Sequence, residues 1–138
     1  MPTRFVLDSY ALIGYLENEP FAGWIEGILK QARKGQKILY LHAIHLGEVY
    51  YITLREKGQK QASLAYSRIK AFPLTLVDTI NEELLIEAAS LKAFYPISYA
   101  DSFAAAMAKI YNCSLLTGDP EMGILEKEKK VSIFWLHG

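Results

Sequence analysis

Five short apolar runs punctuate this chain, "RFVL" (4–7), "KILYL" (37–41), "PLTLV" (73–77), "SLLT" (114–117) and "VSIFWL" (131–136), and each is parted from the next by stretches whose apolar residues recur at helical spacing. Strands that alternate with helices do not pair through tight hairpins. The helices act as crossovers, and crossovers produce parallel pairing. The pattern therefore predicts an α/β fold around a largely parallel sheet. Helices are expected over "SYALIGYLEN" after Asp8, from Pro20 as a first-turn proline to Gly35, and from Ala43 to Lys57. Gly58 ends the third of these, and Gln59 to Ala71 forms another, so the two make a helical hairpin between the second and third strands. Asp78 or Thr79 is the expected cap of a helix running to Phe94, Pro96 breaks the chain, and a short helix is expected over Met122 to Lys129.

No repeat, linker or low-complexity tract interrupts this order, and 138 residues suit one domain, 1–138. A content of 51% hydrophobic and 22% charged residues is that of a globular chain and argues against disorder. No apolar run approaches the ~18 residues of a membrane span, and Asp8 breaks the first one, so a cytoplasmic location with no membrane contact is expected. The single cysteine, Cys113, cannot form an internal disulfide and reads as core filling.

A net charge of zero hides an asymmetry. From Ile28 to Lys70 nine basic residues (Lys30, Arg33, Lys34, Lys37, Arg55, Lys57, Lys60, Arg68 and Lys70) face two acidic ones, Glu48 and Glu56. Solvated helix faces explain such a run; so does a patch for a polyanion.

The carboxylates carry the chemistry. Asp8 follows the first strand, Asp101 stands three residues after Ser98 in a capping-box spacing, and Asp119 precedes Pro120 as a cap precedes a first-turn proline. Each has a structural role on its own. Glu48 has none so simple, because its helical neighbours Ile44, Tyr51 and Ile52 are apolar, and a lysine or a tyrosine hydroxyl would have to satisfy it. Taken together the acids read differently. Asp8 and Asp119 lie at the carboxyl ends of parallel strands, which share one edge of the sheet, and Asp101 reaches that edge if its loop allows. Carboxylates so gathered repel unless a divalent cation compensates, and oxygen ligands suit Mg²⁺ or Mn²⁺.

Four segments, "FVLDSYALIGYL", "HLGEVYYI", "YADSFAAAMAK" and "LLTGDPEM", resemble in order and separation the four acidic motifs of the PIN-domain nucleases. With its length and helical hairpin, the chain is most similar to the small ribonuclease toxins of toxin–antitoxin pairs called VapC. The resemblance implies a three-layer α/β/α sandwich around a mostly parallel sheet. It implies that Asp8, Glu48, Asp101 and Asp119 hold one or two Mg²⁺ or Mn²⁺ ions, with Ser9 and Thr117 as hydroxyl donors that orient them. It implies endonucleolytic cleavage of RNA to a 5′-phosphate and a 3′-hydroxyl, an antitoxin partner, and a homodimer. Tyr10 departs from the pattern, standing where a small residue is frequent and narrowing the mouth of the pocket.

On this reading Lys30, Arg33, Lys34, Lys37, Lys57, Lys60 and Arg68 bind the RNA backbone. Aromatic residues beyond the needs of a small core, Tyr15, Trp24, Tyr50 and Tyr51, are assigned to a partner interface. Two alternatives stand beside the nuclease: a catalytically silent PIN-like module that binds RNA or protein, and an aspartate-based phosphoryl-transfer domain. The second wants a further aspartate two residues after Asp8, where Tyr10 stands. His42, His45 and His137 form no zinc pattern, and neither a phosphate-binding glycine loop nor a nucleophile motif is present.

Overall fold

The computed structural model describes residues 2–137. Its elements are β1 (Thr3–Leu7), α1 (Ser9–Leu16), α2 (Ala22–Arg33), β2 (Lys37–His42), α3 (Ala43–Lys57), α4 (Gln59–Ala71), β3 (Thr75–Val77), α5 (Glu82–Phe94), α6 (Tyr99–Ile110), β4 (Ser114–Thr117), a 3₁₀ turn (Pro120–Met122), α7 (Gly123–Lys127) and β5 (Ile133–Trp135). The strands form one sheet in the order β3-β2-β1-β4-β5, and every neighbouring pair is parallel. The chain starts in the middle of the sheet, builds outward through β2 and β3, then crosses to β4 and β5. That reversal opens a crevice at the carboxyl ends of β1 and β4.

Period-two alternation sorts the strand side chains into two cores. Phe5, Leu7, Leu39, Leu41 and Leu116 face the layer built from α1 to α4, where they meet Leu12, Ile25, Leu46 and Val49. Val6, Leu115 and Ile133 face the other way, onto α5, α6 and α7. The α/β/α sandwich follows from these two faces. Helix α6 is buried along its whole run from Ser102 to Ala108, and its alanines let it press between the sheet and α5. The α3–α4 hairpin turns at Gly58, whose φ of 91° suits a residue without a side chain.

Some boundaries differ from those the sequence suggests, each for a local reason. Helix α2 begins at Ala22 instead of Pro20, because Glu19 is engaged in the turn, its N–H donating to the Gly14 carbonyl (2.9 Å) and its own carbonyl accepting from Ala22 (2.8 Å). The cap of α5 is Asn81, not Asp78 or Thr79. The carbonyl of Thr79 is taken by the His42 imidazole (2.9 Å), which holds the chain extended until Asn81 can accept from Leu84 N–H (2.9 Å). Strand β5 is only three residues long, and the third and last apolar runs pair over part of their length.

Candidate active site

Asp8 leaves β1 and enters α1 as its cap, its Oδ1 accepting from Ala11 N–H at 3.0 Å. Two strands' ends away in sequence but adjacent in the sheet, Thr117 closes β4, and its hydroxyl accepts from the Asp119 N–H (3.1 Å). Asp119 in turn caps the 3₁₀ turn through Glu121 N–H (3.0 Å). Ser98 caps α6 and receives the Asp101 N–H at 3.0 Å, so the capping-box reading of that segment holds. Asp8 and Asp119 cap, Asp101 sits in the turn that Ser98 caps, and these caps fix the carboxylates at one edge. They line a single cavity of about 390 Å³, together with Glu48, Ser9 and Tyr10.

The electrostatics of this cavity are costly. Asp8 is 2% exposed, and its pKa is pushed from 3.8 to about 7, mainly by burial, with the charges of Asp101 and Asp119 adding to the rise while the Thr117 hydroxyl and the Ala11 amide oppose it. Burial likewise raises Asp101, against the pull of Ser98 and with further repulsion from Asp119 and Glu121. Burial raises Glu48 as well, with a contribution from the charge of Asp101. Carboxylate oxygens of Asp101, Asp119 and Glu121 come within 4.8 Å of one another. Oxygen donors alone, crowded and short of positive charge, fit a hard divalent cation.

Glu48 is half-buried on α3 and is satisfied by neither a lysine nor a tyrosine: the Ser9 hydroxyl donates to it at 3.1 Å. That bond joins α1 to α3 across the pocket. A turn earlier on α3, the buried His45 places its Nε2 2.8 Å from the Ala100 carbonyl, tying α3 to the first turn of α6 beside Asp101. The two internal histidines are thus backbone braces.

The structure adds Glu121 to the acids. The sequence shows it only as a first-turn acid behind Asp119 and Pro120, and its nearness to Asp101 depends on how α6 meets the end of β4. The basic residues do not form one patch. Lys57 and Arg68 line a second hollow, about 180 Å³, that shares Ile13 and Glu17 with the acidic cavity, and Lys57 lies 3.6 Å from Glu17. Lys60 is exposed on the first turn of α4. Lys30, Arg33, Lys34 and Lys37 instead surround the entry to β2, level with Thr3 at the amino-terminal edge of the sheet. Roughly 20 Å of strand separates that edge from the acids.

The aromatic residues assigned to a partner each make a contact within the chain. Tyr15 donates to Glu26 and packs on Phe72, Trp24 stacks on Phe134 (4.7 Å), Tyr50 accepts from Gln59 (2.8 Å), and Arg55 lies over the Tyr51 ring. Trp24 and Tyr51 nevertheless stay exposed, as do Leu54, Leu64 and Tyr66 on the hairpin and Leu85, Ile86 and Phe94 on α5.

A sequence profile of the PIN domain matches residues 5–128. Among curated proteins, none matches the sequence. Among solved structures, the fold is similar to VapBC2 from Rickettsia felis bound to a DNA fragment of its promoter, with a TM-score of 0.77 at 14% identity over 98% of this chain and 100% of that one. It is similar to DNA-bound VapBC from Salmonella typhimurium (TM-score 0.73, 17% identity, 96% and 97% covered). It is also similar to Mycobacterium tuberculosis VapC20, a toxin that cleaves the sarcin–ricin loop (TM-score 0.66, 12% identity, 87% and 93% covered).

Proposed function

Because the chain belongs to the PIN-domain family, we propose that it is a Mg²⁺- or Mn²⁺-dependent endoribonuclease, one nuclease domain over 1–138, that serves as the toxin of a toxin–antitoxin pair. The observation that carries this reading is the convergence of Asp8, Glu48, Asp101 and Asp119 on one cavity, with burial and repulsion that a bound cation relieves. Asp8, Asp101 and Asp119 would hold the ion, with Glu121 beside them and Glu48 toward a second ion or the attacking water. Such an ion, when bound, lowers the pKa of a water and neutralises charge on the phosphate.

The chain's own contribution is placement. Caps at Asp8 and Asp119 lock those carboxylates to the backbone. Ser9 fixes the rotamer of Glu48, and the Thr117 hydroxyl supports Asp8 and Asp119 together. Lys57 and Arg68, in the hollow that continues the cavity, would meet phosphates beyond the cut. An antitoxin partner is supported by the likeness to toxins solved within VapBC complexes, and the exposed α5 residues support self-association. The proposed place of action is the cytoplasm; among the described residues no helix is long and apolar enough to cross a membrane.

The test is cleavage of single-stranded RNA with Mn²⁺ or Mg²⁺ against a chelated control, in the wild type and in Asp101→Asn. The expected result is metal-dependent cutting that leaves 5′-phosphate ends and disappears in the variant. Metal binding and RNA binding without cleavage would leave the silent binding module.

A further inference from the structure

Tyr10 stands in the first turn of α1, two residues after Asp8, and lines the acidic cavity. Its ring rests against Gly118, the residue between Thr117 and Asp119: a Cβ added there would come within 2.5 Å of Tyr10 Cε1. Phe21 stacks on the same ring, with centroids 6.0 Å apart and planes 23° from parallel. Phe21 is itself seated in a notch at Gly14, where an added Cβ would lie 2.1 Å from its Cζ. Gly14 makes room for Phe21, and Gly118 makes room for both the Tyr10 ring and the Leu136 carbonyl, which an added Cβ would meet at 2.7 Å. The ring of Tyr10 is held against the strand end that carries Asp119 and one turn from the cap that carries Asp8.

Core packing does not account for this arrangement. Phe21 is 6% exposed, whereas Tyr10 remains 39% exposed at the cavity, and its hydroxyl has no hydrogen-bond partner among the described residues' side-chain bonds. A partly exposed aromatic ring that is stacked on a second ring and lines the cavity, beside carboxylates suited to a metal and a phosphate, is a stacking surface for a nucleobase. Unstacked bases of single-stranded RNA are recognised on such rings, and fixing the ring beforehand removes the entropy of ordering it.

We propose that Tyr10, backed by Phe21 and Gly118, is a base-stacking platform that holds a nucleotide next to the scissile phosphate and gives the enzyme a preference for a purine there. This rests on the ribonuclease reading of the same cavity. Stacking is nearly sequence-tolerant, so the preference is one of degree, set by the larger face of a purine. The exposed ring thereby serves specificity, where a small residue would leave the base in water.

The experiment uses the full chain with Mn²⁺. A pool of random-sequence single-stranded RNA first maps where the wild type cuts. Oligonucleotides of one cut sequence are then prepared with the flanking nucleotide as a purine, a pyrimidine or an abasic ribose. For Tyr10→Ala, kcat/KM on the purine substrate is expected to fall on the order of ten-fold or more, with the loss shrinking on the pyrimidine and vanishing on the abasic substrate. Tyr10→Phe, which keeps the ring, is expected to restore the discrimination that Tyr10→Ala lacks. An equal loss for Tyr10→Ala on all three substrates, or none, overturns the platform while the nuclease reading stands. A wild type that cuts no RNA in the pool overturns both.

Discussion

Asp8 and His42 do the same local work and differ in how the fold satisfies their polar atoms. Asp8 follows β1 and His42 ends β2, each is 2% exposed, and each caps the next helix, Asp8 through Ala11 N–H (3.0 Å) and His42 through Ile44 N–H (3.1 Å). The second nitrogen of His42 is bonded to the Thr79 carbonyl, so its polar atoms are used up. Asp8, when ionised, has two donors against burial and two neighbouring aspartates, and its pKa rises to about 7. Capping explains where both residues stand. Only one of them carries a charge the fold does not neutralise, and that surplus marks the functional end of the sheet.

The largest effect comes from removing that surplus. Asp8→Asn keeps an oxygen for the Ala11 amide and loses the charge, as does Asp101→Asn at its own position. Either variant is expected to lose more than about 10³-fold in metal-dependent RNA cleavage, about 4 kcal/mol of transition-state stabilisation, while its circular dichroism stays that of the wild type. Full activity in either would reduce these aspartates to caps.

The same contrast predicts a pH signature in the metal-free protein. Between pH 3.8 and about 7 the folded chain holds a proton on Asp8 that the unfolded chain has released, so raising the pH through that window removes stability. Buried His45, its pKa lowered from 6.5 to about 4 by desolvation, acts with the opposite sign: the unfolded chain holds the proton, and raising the pH restores stability. The two slopes oppose each other between about pH 4 and 6.5. Asp8→Asn is expected to unmask the histidine, giving a rise of up to about 1.4 kcal/mol per pH unit in that range. Its advantage over the wild type should grow with pH and level off above pH 7, at up to about 4 kcal/mol. Urea unfolding in chelator at pH 5, 6 and 8 measures this, and parallel profiles would show that Asp8 is charged at no penalty.

Smaller effects separate bracing from ligation. His45→Leu leaves the Ala100 carbonyl without its donor, with an expected loss of about 1–3 kcal/mol of stability and weaker Mn²⁺ binding as the start of α6 loosens. Ser9→Ala removes the hydroxyl on Glu48 and is expected to lower activity about ten-fold at the weaker end of outer-shell effects, with little change in unfolding. A Ser9→Ala protein of wild-type activity would show that Glu48 needs no positioning.

The features legible in the sequence are those carried by local chemistry. Asp8, Asp101 and Asp119 are recognisable because each belongs to a cap signature at a strand end or helix start, and parallel order brings two of those ends to one edge. The partner of Glu48 was beyond reach, since Ser9 lies 39 residues away and only the packing of α1 on α3 joins them. Glu121 follows Asp119 by two residues as a first-turn acid, and an acid at that spacing after a strand-end aspartate is the signal in the sequence that points to it. The basic segment is the reverse case. Residues contiguous in sequence from Lys30 to Arg68 pass through a strand, and a strand carries its two ends to opposite edges of the sheet.

That division gives the smallest and most discriminating effect. Each single-strand phosphate contact adds about 0.7 to the slope of log K against log salt. RNA binding measured on Asp101→Asn protein, which does not cut, isolates this term. Lys57→Glu with Arg68→Glu is expected to flatten the slope by up to about 1.4, because both residues line the hollow that continues the acidic cavity. Breaking the exposed Lys57–Glu17 pair confuses little, since such a pair is worth at most about 1 kcal/mol. Lys30→Glu with Arg33→Glu alters the charge by the same amount at the far edge of the sheet, so screening over roughly 10 Å should leave the local phosphate contacts in place. A flattened slope in the second variant and an intact one in the first would put the RNA along the amino-terminal edge. The strand would then have to wrap around the sheet to present a phosphate to Asp8.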